Sequence, residues 1–185
     1  MWLNTARLSA RTDTEGNMLR LKEQDRSMWN QGMMARGLLH LGPSAAGDQL
    51  TAYHLQAGIA ACHCAAVDYA STDWPQILSL YDRLVELDDS PVVALNRAVA
   101  VAEVHGTAAG LAAIESMPKR RSLESYYLLY SVLAEFALQR EDFYAAAEHL
   151  RRAIQLAAVT SEQSFLTARL RRLEAQSQAV PVVSW

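Results

Sequence analysis

Apolar positions recur along this chain at the spacing of helices, and nowhere at the two-residue period of a half-buried strand. The clearest case is Asp73 to Gly106. Ile77, Leu80, Tyr81, Leu84 and Leu87 share one face of a first helix. Asp88, Asp89 and Ser90 stop it. Ser90 is placed to cap a second helix, with Pro91 at its first position. Val92, Leu95, Val99 and Val101 carry that helix, and Gly106 ends it. The two form a helical hairpin that keeps apolar surface for a neighbour.

The same reading predicts a short helix over 2–11, a turn at 13–17 and a short extended piece over 18–21. Further helices are expected over about 26–41, closed by Gly42 and Pro43, and over about 49–67, 107–116, 122–140 and 142–157. Thr160 with Gln163 three residues on is a capping-box signature for a last helix over 161–175. Pro181 breaks helix in the tail.

The helices repeat. Ile77, Tyr81 and Leu84 are followed 33 residues later by Gly110, Ile114 and Met117, and a further 36 later by Ala146, Leu150 and Ala153. The period is close to the 34 residues of a tetratricopeptide (TPR) repeat. Tyr130, Leu133, Ala134 and Ala137 keep the large–large–small–small spacing of a first repeat helix. Ala94, Arg97, Ala98 and Val101 keep the small positions, and Ala61, Cys64 and Ala65 keep fewer. The fold class expected is all-α: a TPR-like right-handed superhelix of antiparallel helix pairs, about eight or nine helices in all. Residues 1–47 form an N-terminal helical segment that packs on the repeats, 48–176 the repeats, and 177–185 a tail.

Composition narrows the function. Half of the 185 residues are hydrophobic and glycine and proline are few, which suits a helical domain. No signal peptide and no apolar run of eighteen residues is visible, so a cytoplasmic protein that neither spans nor binds a membrane is expected. The net charge of −3 is unevenly spread: residues 37–118 hold two basic and nine acidic groups. An acidic centre repels phosphate backbones, so direct nucleic-acid binding is not expected.

Candidate chemistry is sparse. Cys62-His63-Cys64 lies on a helix, where residues two apart diverge by roughly 200°, and no second cysteine pair completes a metal site. The paired acids Asp88-Asp89 and Glu141-Asp142 fall at helix ends and read as caps. Arg169, Arg171 and Arg172 read as a solvated basic face. The charged run Lys22–Arg26 before Trp29 reads as a cap or as a tie between the N-terminal segment and the repeats. No phosphate loop or nucleophile elbow occurs. A non-enzymatic domain without cofactor or metal is expected. Asn96 and Arg97 interrupt an apolar run. The readings are contact with a partner, or a structural bond from Arg97 to Glu86, Asp88 or Glu103. The candidate partner-binding residues are His63, Asn96, Arg97, Glu103 and Glu135.

The stretches LKEQDRSMW (21–29), AYHLQAGIAACHC (52–64), TDWPQILSLYDRL (72–84) and SPVVALNRAVAVAEVHG (90–106) resemble the C-terminal, TPR-like extension of a group of bacterial extracytoplasmic-function (ECF) RNA polymerase sigma factors of the sigma-70 family. The resemblance covers about residues 3–175. It implies a parent protein that directs RNA polymerase in transcription initiation through two promoter-binding domains not contained in this chain. It implies that this part is a regulatory arm in place of a separate anti-sigma factor. Partners implied are its own sigma domains, core RNA polymerase and a small YCII-like protein. The apolar tail VPVVSW offers a route to a homodimer. The alternative is a free-standing TPR-like scaffold that binds a peptide or protein in its concave groove.

Overall fold

The computed structural model describes residues 2–45 and 50–179. Among these are nine α-helices and no strand, an all-α helical-repeat architecture. The helices are α1 (Trp2–Thr5), α2 (Gln31–Ala45), α3 (Ala52–Ala65), α4 (Trp74–Leu87), α5 (Pro91–His105), α6 (Thr107–Ser116), α7 (Tyr127–Gln139), α8 (Phe143–Leu156) and α9 (Thr160–Ala179). Single 3₁₀ turns occur at Leu8–Ala10, Leu21–Glu23, Arg26–Met28 and Arg120–Leu123. The tail expected after residue 177 lies, from residue 180 on, outside the described residues.

Each helix packs mainly on its neighbours in sequence, so the core is a row of clusters. Trp29, Leu3, Ala6, Met34 and Cys64 join the N-terminal segment to α3. Leu55, Ile77, Leu84, Val93 and Val101 join α3, α4 and α5. Leu95, Ala98, Ile114, Leu129 and Phe136 join α5, α6 and α7. Ala134, Ala146, Leu150, Leu166 and Leu173 join α7, α8 and α9.

The repeat positions occupy this core. Ile77, Gly110 and Ala146 are buried, as are Ile114 and Leu150, and Leu84, Met117 and Ala153. Tyr81 alone of the nine is half-buried. The small residues act by absence of bulk: a Cβ on Gly110 would stand 2.6 Å from the Ala102 Cβ and 3.0 Å from the Phe136 ring.

Local chemistry shifts several boundaries. The helix expected over 26–41 is instead the turn Arg26–Met28, an extended Trp29, and then α2. Asp25 accepts from the Ser27 N–H, and Asn30 Oδ1 accepts from the Met33 N–H, so two caps divide the segment. Met28, expected on the apolar face, is exposed. Helix α2 runs through Gly42 and Pro43 to Ala45. A proline in the last turn removes one donor without ending the helix there.

Ser90 does not cap α5 with its side chain; its N–H donates to Asp88 Oδ1 at 3.1 Å. Ser122 does not start α7. Its hydroxyl donates to the Lys119 carbonyl, and Tyr126 stays extended ahead of the helix. Thr160 lies inside α9, and the Gln163 amide donates to the Ala157 carbonyl. Asp73 and Asp142 do cap α4 and α8, accepting from Gln76 and Ala145.

Gly110→Val is expected to destabilise the protein by about 1–3 kcal/mol through overpacking between α5 and α7. Gly42→Ala, where an added Cβ meets nothing within 4 Å, is expected to be neutral or stabilising. Urea denaturation of both variants checks this.

Candidate functional site

The first helices of the successive pairs, α3, α5 and α7, together with α9, contribute one wall of a groove. The N-terminal segment crosses it as a strap. Leu19 N–H donates to the Arg11 carbonyl, and the bridge from Thr12 to Met18 turns the chain back toward the repeats. Asp13 braces that turn by accepting from the N–H groups of Glu15 and Asn17.

The strap is held at two points. At one end Arg26, only 7% exposed, donates from Nη1 to the carbonyls of His63 (2.7 Å) and Ala66 (3.0 Å) and from Nη2 to Thr72 Oγ1 (2.8 Å). The first two acceptors are orphan carbonyls at the C-terminus of α3, where a cation is favoured. Arg26 and Arg7 each stack over the buried Trp29 ring, 5.1 Å from its centre.

At the other point Glu135 on α7 meets three cations. Arg20 bonds it at 2.7 Å and Arg169 at 2.8 Å, and Lys22 bonds its second oxygen. Burial raises the Glu135 carboxyl, but Lys22, Arg20 and Arg169 outweigh it and hold the group below its ordinary range. Arg20 also pairs with Glu23.

The strap divides the groove into two chambers, and Leu21 lines both. The larger, about 500 Å³, lies over α5, α7 and α9. Tyr69, Trp74, Tyr127, Phe136 and Phe165 form its aromatic wall, and half-exposed Met18 and Leu128 form its rim. Tyr69 donates to Glu103 and Tyr127 to Glu162, each at 2.7 Å. Burial, with the facing carboxylate, pushes both phenols far up. The smaller chamber, about 340 Å³, lies between α1, α3, α4 and α5. Asn4, Arg7, Gln56, His63 and Asn96 line it, with Ile59, Tyr81, Leu84 and Val93 as apolar wall.

His63, Asn96, Glu103 and Glu135 thus come to the groove, in two different chambers. Arg97 does not: it pairs with Asp82 at 2.6 Å beside Val85, Glu86 and Met117. Its bond is the structural one, with Asp82 in place of Glu86, Asp88 or Glu103. Arg169 departs from the solvated basic face expected of it, because its head turns in to Glu135 while Arg171 and Arg172 remain exposed. Arg7, Arg20 and Tyr69 were not singled out by sequence. Trp29 for Arg7, Glu135 for Arg20 and Glu103 for Tyr69 all lie far off in sequence, and only the charged run Lys22–Arg26 marks the strap.

Cys64 is buried, with its thiol 3.9 Å from the Leu3 carbonyl, and Cys62 is half-buried. Among the described residues no three His, Cys, Asp or Glu side chains are grouped to hold a metal ion. No helix among them is long and apolar enough to cross a membrane.

Residues 1–45 match the model of a family of unknown function (DUF6596). The match covers the strap and both of its flanking helices. An uncharacterized protein of Rhizobium meliloti (strain 1021) is 34% identical over 178 residues. The match takes in 96% of this chain but 42% of the relative, so the chain spans less than half of that protein. No solved structure matches the chain.

His63 is buried against the edge of Trp74, with ring centres 5.4 Å apart. Burial, then the charges of Arg7 and Arg26, push it down to about 4 from 6.5. The unfolded chain therefore takes up a proton that the folded chain refuses. Its contribution is fully present above pH 6.5 and is lost as pH falls toward 4. Stability is expected to drop measurably between pH 6.5 and 5 in the wild type, toward a full loss of about 3 kcal/mol. The drop is expected to shrink in His63→Gln, as read by denaturant midpoints at each pH.

Proposed function

We propose that this chain is the regulatory, protein-binding arm of an ECF sigma factor and that it acts through the groove. The observation that supports this most is the larger chamber: about 500 Å³, walled by five aromatic side chains, with an exposed apolar rim. An apolar concavity of this size is a recognition surface.

The sigma-factor part of the reading rests on the resemblance of residues 21–29, 52–64, 72–84 and 90–106. Two features support it. The relative in Rhizobium meliloti carries 58% of its length outside the match, which is room for two promoter-binding domains. The quoted stretch 21–29 contains part of the strap with its Arg26 anchor, so the most charged part of the resemblance lies where the groove is shaped. The mechanism is mutually exclusive packing. The arm binds the sigma domains or an external partner such as a YCII-like protein. The population competent for polymerase shifts by the difference in affinity.

The test is co-purification of the chain with promoter-binding sigma domains and core polymerase at low and physiological salt. Leu128→Glu, on the chamber rim, is expected to weaken binding at least tenfold. Arg97→Ala, outside the groove, is expected to leave it unchanged. Absence of binding by the wild type contradicts the proposal and leaves the free-standing scaffold as the better reading.

A further inference from the structure

Among the described residues, the smaller chamber presents a positive charge with no counter-ion. Arg7 is half-buried, makes no hydrogen bond or ion pair among the described residues, and has its Nε buried without an acceptor. Its guanidinium stacks over the Trp29 ring, and Arg11 and Arg26 add like charge to its surroundings. Among the described residues Arg26 is likewise paired with no carboxylate: its Nη groups donate to carbonyls and Thr72, and its Nε is buried without an acceptor. Among the described residues no Asp or Glu lines the chamber. Folding normally pairs a desolvated guanidinium, and an unpaired one calls for a partner.

The rest of the lining completes a site. Asn4, Gln56 and Asn96 add side-chain amides that can donate, and all three are exposed to solvent. Ile59, Val93, Leu84 and Tyr81 supply an apolar wall. A planar guanidinium prefers a planar, two-oxygen partner. About 340 Å³ holds such a group together with a ring or short alkyl body.

We infer that the chamber between α1, α3 and α5 binds a small organic carboxylate, its oxygens on Arg7 and the Asn4, Gln56 and Asn96 amides and its apolar body against Ile59, Val93 and Tyr81. The site is separate from the aromatic chamber and goes beyond the proposed function. Its occupant would sit under Leu21, the residue that forms part of both chambers, so binding there bears directly on the strap.

The test is isothermal titration of the purified chain, without sigma domains or polymerase, so its outcome is independent of the sigma-factor reading. Benzoate is the probe, with benzamide as neutral isostere, benzylammonium as cation and inorganic phosphate as bare oxyanion. Benzoate is expected to bind at least tenfold more tightly than the other three. Asn96→Asp, an exposed change that sets a carboxylate against the ligand, is expected to weaken it tenfold or more, as is Arg7→Gln. If Arg7→Gln fails to fold, Asn96→Asp decides. Absence of benzoate binding, equal binding of benzamide, or affinity undiminished in Asn96→Asp overturns the inference. Phosphate bound as tightly as benzoate overturns the assignment to an organic carboxylate.

Discussion

The groove exists because a buried arginine closes the end of a helix. Arg26 sits where α3 stops and its last carbonyls face inward, away from water. Two of them, on His63 and Ala66, receive its Nη1 donors, and Thr72 receives the other arm. Burying a guanidinium without a carboxylate is costly, and each hydrogen bond to the charge recovers about 1.5–3 kcal/mol. Trp29 docks beneath the guanidinium, and the strap leaves toward α7. Were Arg26 to let go, α3 would lose its C-terminal partners and the strap one of its two supports.

The second support differs in kind. Glu135 and its three cations are partly exposed, so salt and water screen them. A buried anchor at one end and a partly exposed ion cluster at the other hold the strap against α3 and α7. The two chambers inherit the difference. The chamber beside Arg26 is small and positively charged. The chamber beside Glu135 is larger, aromatic, and carries Glu103 and Glu162 on tyrosine hydroxyls.

The repeat was legible in sequence because it depends on local spacing. Gly110, Ala146 and Ala153 fall where two helices touch, and small size at a fixed interval is visible without any partner. Helix α6 begins and ends where the pattern places it, at Thr107 and Ser116. Caps were less legible. Asp73 and Asp142 cap, but Ser90 makes no side-chain cap bond and the Ser122 hydroxyl donates to the Lys119 carbonyl instead. The groove was only partly legible. Asn96 stood out as a polar group in an apolar run and lines the groove, whereas Arg97 stood out equally and lies elsewhere. Pairings such as Arg20 with Glu135, 115 residues apart, leave no periodic trace.

Amide hydrogen exchange on wild type and Arg26→Met is the most direct test of this dependence. Methionine keeps the stem against Trp29 and removes the donors. Protection is predicted to fall for the amides of 19–29 and the last turn of α3, while α7, α8 and α9 keep theirs. An unchanged pattern, or an equal loss across all helices, would contradict the view that Arg26 anchors the strap that shapes the groove.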